Sequence, residues 1–326
     1  MRKILCGVLI LLRSVSAFAA DPLPSWNEGE LKKSIIQFVN DVTKDGPKFV
    51  KPEDRIATFD NDGTLWSEVP TVEVEFTKVR LKDVLARNPA LKNKEPYKTL
   101  LRDGKSALPH MTQKQILDIM AVTHSGMSEP DFTKEVKEFF QSALHPKLNV
   151  PYTQTAYQPM LELLSYLREN DFKLFICSGG DISFMRVVGT DMYGIPSQNI
   201  IGSFFVDRAR EIDGKLVVMR TSALGMMNDK DGKPVSIVRH IGKRPILSVG
   251  NERSGGDIDH LRYSRESTGP NMQIMINHDD AEREAAYVEK DGASLAAAKK
   301  FGFKVLSMKN DWKQIFPGKQ PIAKEF

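Results

Sequence analysis

Apolar positions recur along the chain in two alternating rhythms. Residues 29–44 carry Leu31, Ile35, Val39 and Val42 at helical spacing, which predicts an amphipathic helix. Residues 55–60, RIATFD, form a short apolar run that ends in an acid and meets the turn cluster NDGT at 61–64. That is the pattern of a buried strand feeding a loop. Helical periodicity then recurs at 72–87, 113–122, 130–144 and 158–169, punctuated by proline and glycine and with no strand pattern. Residues 66–170 therefore read as an all-helical insert, a small domain of its own. Strand patterns return at 173–177, 199–205, 246–249, 273–277 and 304–308, most of them separated by helical stretches, with a hairpin over 204–219 around Asp213-Gly214. The alternation predicts an α/β fold: a doubly wound, mostly parallel sheet formed by residues 20–65 and 171–326, with the helical insert placed after the first strand.

The first residues follow a different logic. Arg2 and Lys3 precede the apolar run ILCGVLILL at 4–12, and Ala17 and Ala19 form a small-residue A-x-A site. This order predicts a cleavable signal peptide over 1–19, and hence an exported, periplasmic protein with no stable membrane association after cleavage. The apolar run is too short to span a bilayer, and an uncleaved anchor is the alternative. Removing the segment takes three of the basic residues behind the formal net charge of +4, so the mature chain is close to neutral. With no dense Lys/Arg block, nothing recommends nucleic acid as a partner. The mature chain keeps only Cys177, so it can form no internal disulfide. A 326-residue chain with 41% hydrophobic and 27% charged residues is neither a disordered tail, a fibre nor a polytopic membrane protein.

In parallel sheets ligands bind beyond the carboxyl ends of the strands. Those ends read DNDGT (60–64), SGG (178–180), GNERSGGD (250–257) and NHDD (277–280). Acids and amides are oxygen donors for a hard cation such as Mg²⁺. A hydroxyl and glycine N–H groups at a helix start suit a phosphate. Two acids at i and i+2 can divide the labour: Asp60 attacks, while Asp62 protonates the leaving oxygen and later activates water.

FDNDGTLW resembles the first motif, D-x-D-x-T, of the haloacid dehalogenase superfamily in its phosphatase branch. ICSGG is similar to the second motif, VGNERSGGD to the fourth, and Lys233, eighteen residues before Asn251, fits the third. The insert falls where members with a C1-type helical cap carry theirs, and the likeness is strongest to phosphoserine-phosphatase-like members. The resemblance implies a Mg²⁺-dependent phosphatase acting on a small phosphomonoester. Asp60 would be nucleophile and metal ligand. Asp62 would be the general acid/base, with its carbonyl on the metal. Thr64, Ser178, Gly179 and Lys233 would serve the phosphoryl group, and Asn251 and Asp257 would complete the metal shell. Many members carry Asp where Asn251 stands, which leaves Glu252 as a competing ligand. An acid at Asp62 favours ester hydrolysis over dehalogenation.

A phosphotransferase or phosphomutase shares the same intermediate, and a silent phosphate-binding protein is the rival of another class. Lys230 competes with Lys233. His278, Asp279 and Asp280 read as a structural cluster or as substrate contacts. Arg186 could anchor a substrate charge, and Trp66 and Glu68 could line the leaving-group pocket.

Overall fold

The structure, a computed structural model, describes residues 21–103, 107, 110–253, 255–289 and 291–318. The expected signal peptide lies outside the described residues. In chain order the elements are α1 (Glu30–Thr43), β1 (Ile56–Phe59), α2 (Val72–Arg87), α3 (Tyr97–Asp103), α4 (Gln113–Thr123), α5 (Glu129–Ser142), α6 (Gln158–Glu169), β2 (Lys173–Asp181), α7 (Ile182–Tyr193), β3 (Ile200–Ile212), β4 (Lys215–Met226), α8 (Gly232–His240), β5 (Leu247–Asn251), α9 (Ile258–Arg265), β6 (Met272–Asn277), α10 (Ala293–Phe301), β7 (Lys304–Ser307) and α11 (Met308–Asp311). The strands form one seven-stranded sheet in the order β4-β3-β2-β1-β5-β6-β7, parallel except for β3–β4.

β1 is central and fully buried, so its four residues are apolar or, at Thr58, satisfied within the sheet. Thr58 Oγ1 bonds Ser248 Oγ at 2.7 Å and His260 Nε2 at 2.8 Å. From β1 the chain crosses to β2 on one side, while β5 lies on the other. That reversal opens the crevice in which such sheets bind ligands.

Three strands run further than their sequence pattern. β2 continues through Ser178–Gly180 to Asp181, with its pairing to β3 shifted between Cys177 and Asp181. An irregularity of this kind re-aims side chains beside a site. β3 and β4 extend as a long hairpin about Asp213-Gly214, both with positive φ, and much of its outer half is exposed.

Between β1 and β2 the helices divide by what they bury. α5 sends Phe132, Val136, Phe139 and Phe140 into the main core. α6, which the sequence pattern grouped with the insert, sends Met160, Leu163, Leu164 and Leu167 there too. Its apolar face is thus a crossover face lying against the sheet. The outer part of the insert has its own small cluster of Leu81, Leu85, Tyr97 and Ile119. Here α3 supplies about two turns that the periodicity does not predict. Among the described residues no helix is long and apolar enough to cross a membrane.

Candidate active site

The loop after β1 is built by its own backbone. Asp60 N–H donates to Val249 O at 2.9 Å, keeping Asp60 in line with the sheet. Asn61 O accepts from Thr64 and Leu65, and Gly63 N–H donates to Trp66 O, closing a tight loop. Gly63 sits at φ +70°, and a Cβ there would lie 2.0 Å from Asn251 Nδ2, so only glycine fits. Asp60 and Asp62 line a cavity of about 550 Å³ together with Ser178, Gly179, Lys233, Asn251 and Asp257.

Lys233, in the first turn of α8, carries the arrangement. Its Nζ lies 2.7 Å from Asp60 Oδ1 and 2.5 Å from Asp257 Oδ1, all three groups buried. The two carboxylates hold the ammonium charged, raising its pKa against the effect of burial. Lys230, the competing lysine, is exposed in the turn before α8.

Asp257, expected in the metal shell, is turned to other partners: Oδ1 to Lys233, with His260 Nδ1 at 3.5 Å, and Oδ2 to the N–H of Asn251 at 3.0 Å. Although buried, it is held down at about 2 by Lys233 and His260. Burial and the Asp257 charge push Asp60 the other way, well above the ordinary carboxylate range. Burial, with Glu68 nearby, pushes Asp62 up to about 7, against the bond it accepts from Trp66 Nε1 at 2.9 Å. An acid titrating near neutrality suits proton donation followed by proton acceptance.

Ser178 and Gly179 face the same cavity from the irregular end of β2; Ser178 Oγ accepts from Gly180 N–H at 3.2 Å. Thr64 is fully buried outside the cavity lining, and its Oγ1 has no hydrogen-bond partner among the described residues. Asn251 gives its amide hydrogens to Glu68 Oε1 at 2.8 Å and Tyr287 Oη at 3.0 Å, which orients the amide and leaves its oxygen for a cation. Glu252, the competing ligand, turns away: its Oε1 accepts from His278 N–H at 3.1 Å, and it is not among the cavity-lining residues.

The donor set fits a hard cation. Asp60, Asp62, Glu68, Glu73, Asp229 and Asp257 line this end, against Lys233 and Arg253. A phosphate dianion entering such a surplus of acids needs further positive charge, and oxygen donors are what Mg²⁺ takes.

Other side chains act from behind. His278 Nε2 donates to Gly63 O at 2.8 Å, and its ring stacks on Tyr287 with centroids 4.3 Å apart. Asp279 and Asp280 serve local turns: Asp279 accepts from Ser307 and Lys309, Asp280 from Glu282 and Arg283. Arg186 ties α7 to the Ser197 and Ile200 carbonyls rather than reaching the cavity. Cys177 is fully buried beneath Ser178, and burial pushes its thiol up to about 12.

Nothing in the sequence pattern singles out Arg253, Tyr287, Glu73 or Arg220. Arg253 and Tyr287 both bind Glu68. Glu73 accepts the N–H of Asp181 at 3.0 Å and lies 3.4 Å from His124 Nε2. Glu73, His124 and Asp181 converge closely enough to invite a metal. Arg220, however, already bonds Asp181 Oδ2 at 2.5 Å, and Asp181 Oδ1 caps α7. Arg220 also donates to His124 O at 2.7 Å and lies over the Phe132 ring. This cluster is a latch joining the insert, the β3–β4 hairpin and the end of β2.

The haloacid dehalogenase-like hydrolase family model matches residues 57–246, more than half of the chain. The chain belongs to that family. A protein of unknown function from Anaerococcus prevotii DSM 20548 superposes with a TM-score of 0.55 at 13% identity, covering 94% of this chain and 100% of its own. A protein of unknown function from Bordetella pertussis Tohama I gives 0.47 at 14% identity, over 77% and 97% of the two chains. A phosphoserine phosphohydrolase-like protein from Francisella tularensis gives 0.38 at 17%, over 74% and 98%. Of these three the first alone exceeds 0.5, and it establishes a common fold. No curated protein sequence matches this one.

Proposed function

We propose that this protein hydrolyses phosphomonoesters through a phosphorylated Asp60. The observation that carries the reading is Lys233 Nζ bridging Asp60 and Asp257 while Asp62, an acid near neutrality, faces the same cavity. Asp60 attacks phosphorus and the P–O bond to the leaving alcohol breaks, with Asp62 giving its proton to the departing oxygen. Asp62 then takes a proton from water, whose oxygen attacks phosphorus. The bond to Asp60 breaks and inorganic phosphate leaves. Lys233, Ser178 and the Gly179 N–H offset the charge on the phosphoryl oxygens. Asp257 acts through Lys233, holding its ammonium in place. Trp66 fixes Asp62, and Thr64 supports the loop from behind. Asp60, the Asp62 carbonyl and the Asn251 oxygen would hold Mg²⁺, which supplies the further positive charge the dianion requires. Export by the 1–19 segment belongs to the same proposal, and N-terminal sequencing of the protein recovered from a periplasmic fraction tests it.

The decisive measurement is phosphate release from an aryl phosphate with Mg²⁺, with chelator, and with the Asp60→Asn protein. Release that requires Mg²⁺ and vanishes in a folded Asp60→Asn protein is expected. Release that persists in that variant overturns the nucleophile, and release undiminished by chelator overturns the metal.

A further inference from the structure

We infer that the leaving group this cavity is shaped for is an apolar alcohol, a hydrocarbon chain or fused aryl group, rather than an amino acid, sugar or nucleoside. The inference rests on the phosphomonoesterase reading for its chemistry and on the far half of the cavity for its specificity.

Away from Asp60 the cavity is walled by three helices of the insert. Val74, Leu81 and Leu85 come from one face of α2, Leu101 from α3, and Ile116 and Ile119 from α4. Three of these are exposed although apolar: Val74 at 36%, Leu101 at 53% and Ile116 at 40%. Single exposed apolar side chains are ordinary, but exposed ones from three separate helices meeting in one concavity mark a binding surface. The surface is continuous with the phosphoryl end, so its occupant is the group attached to the phosphate. At about 550 Å³ the cavity has the size of sites that enclose a medium-sized molecule.

Most of the polar groups at the phosphoryl end of the cavity already have partners, while Lys82 and Asp229 also line it. Glu68, which could pair with an ammonium, is held by Arg253, Tyr287 and Asn251. Glu73 accepts the Asp181 N–H, with His124 Nε2 3.4 Å away. Arg253, which could receive a carboxylate, is half-exposed and gives its Nη1 to Glu68. Lys78, at the cavity edge, pairs with Glu75. Against the aliphatic wall of α2, α3 and α4 a zwitterionic or polyhydroxylated leaving group would bury polar atoms that those side chains cannot partner, and such mismatches discriminate strongly. A hydrocarbon meets no such penalty and removes the exposed leucine and isoleucine surfaces from water.

The test follows phosphate release by the Mg²⁺-loaded protein from ethyl, butyl, hexyl and octyl phosphate and from O-phosphoserine, all below their aggregation concentrations. A second readout, independent of turnover, is direct binding of ethyl- and octylphosphonate to the same protein. The expected result is a kcat/KM that climbs about fourfold per methylene until the cavity is filled, with O-phosphoserine the poorest substrate. The Leu101→Asn/Ile116→Asn protein should lose about tenfold of the octyl-to-ethyl preference. Turnover that is flat or falls with chain length, or that favours O-phosphoserine, overturns the inference and leaves the phosphatase reading standing. No release from any ester, with octylphosphonate still bound more tightly than ethylphosphonate, upholds the apolar site and overturns the reaction. Absence of both release and chain-length-dependent binding overturns the two together.

Discussion

The two halves of the cavity are built in opposite ways. At the phosphoryl end, buried charges are fixed by partners far away in sequence: Lys233 by Asp60 and Asp257, Glu68 by Arg253 and Tyr287. Asp60 directly follows β1 and Lys233 comes from the first turn of α8, while the others lie in the loops between strands and helices that pack into the main core. At the other end the walls are apolar, part of their surface is open, and the four buried residues Leu81, Leu85, Tyr97 and Ile119 form a cluster separate from that core. One half holds its atoms where chemistry needs them; the other can repack around what enters. Precision and tolerance are thus divided between a sheet and a thin helical layer.

The largest expected effect breaks the precise half. Lys233→Met leaves Asp60 and Asp257 buried without their shared cation, so the protein should lose about 3–5 kcal/mol of stability along with its turnover. Denaturant unfolding without divalent cations measures this, and a loss below about 1 kcal/mol would mean that the two acids relieve each other by another route. Asp62→Asn should come next. With an alkyl ester, kcat should drop by about 10²–10⁴-fold. With a nitrophenyl ester, whose leaving group needs no proton, the loss should be much smaller. Equal losses would remove Asp62 from proton transfer.

The third contrast sets the two cores side by side. Ile119→Ala and Ile274→Ala delete equivalent volumes, each at a cost of about 2–5 kcal/mol. For Ile274, in β6 and wholly buried in the main core, faster hydrogen exchange should spread through β1, β5 and β6. For Ile119 it should stay within α2–α4. Exchange that rises everywhere in both variants would mean a single cooperative unit.

The smallest effect concerns the start of the insert. His145 Nε2 donates to Val69 O at 3.0 Å, and Nδ1 accepts from Leu148 N–H at 3.1 Å, which requires the neutral ring. Burial holds its pKa below the ordinary 6.5. The unfolded chain therefore takes up this proton first, so the contribution is fully present above about pH 6.5 and is lost as pH falls from there towards the folded-state value. His145→Gln should flatten stability over that range; an unchanged slope would remove His145 as its source.

How much of this could be read from the sequence depended on how local the cause was. β1 announces itself because a central parallel strand must be apolar on both faces, and Asp60 and Asp62 follow because the loop after it is a tight turn around Gly63. Lys233 was the weakest of the expected residues, one of 46 basic side chains, and only the path of α8 brings it to Asp60. Arg253 and Tyr287 had no readable signal as Glu68 partners, because they lie 185 and 219 residues along the chain from it. α3 is too short to display a helical period. The placement of α6 against the sheet followed from which face its leucines meet, a question periodicity alone does not answer.

Cys177 gives the molecule a built-in clock. Its sulfur is sealed beneath Ser178, with a thiol pushed up to about 12, so an alkylating reagent can reach it only while the central strands are parted. In a chain whose other cysteine lies in the first six residues, the rate at which that thiol is trapped counts openings at the floor of the phosphoryl site. Anything that seats itself above the floor, whether cation, phosphate mimic or hydrocarbon phosphonate, will slow the count in proportion to how tightly it is held.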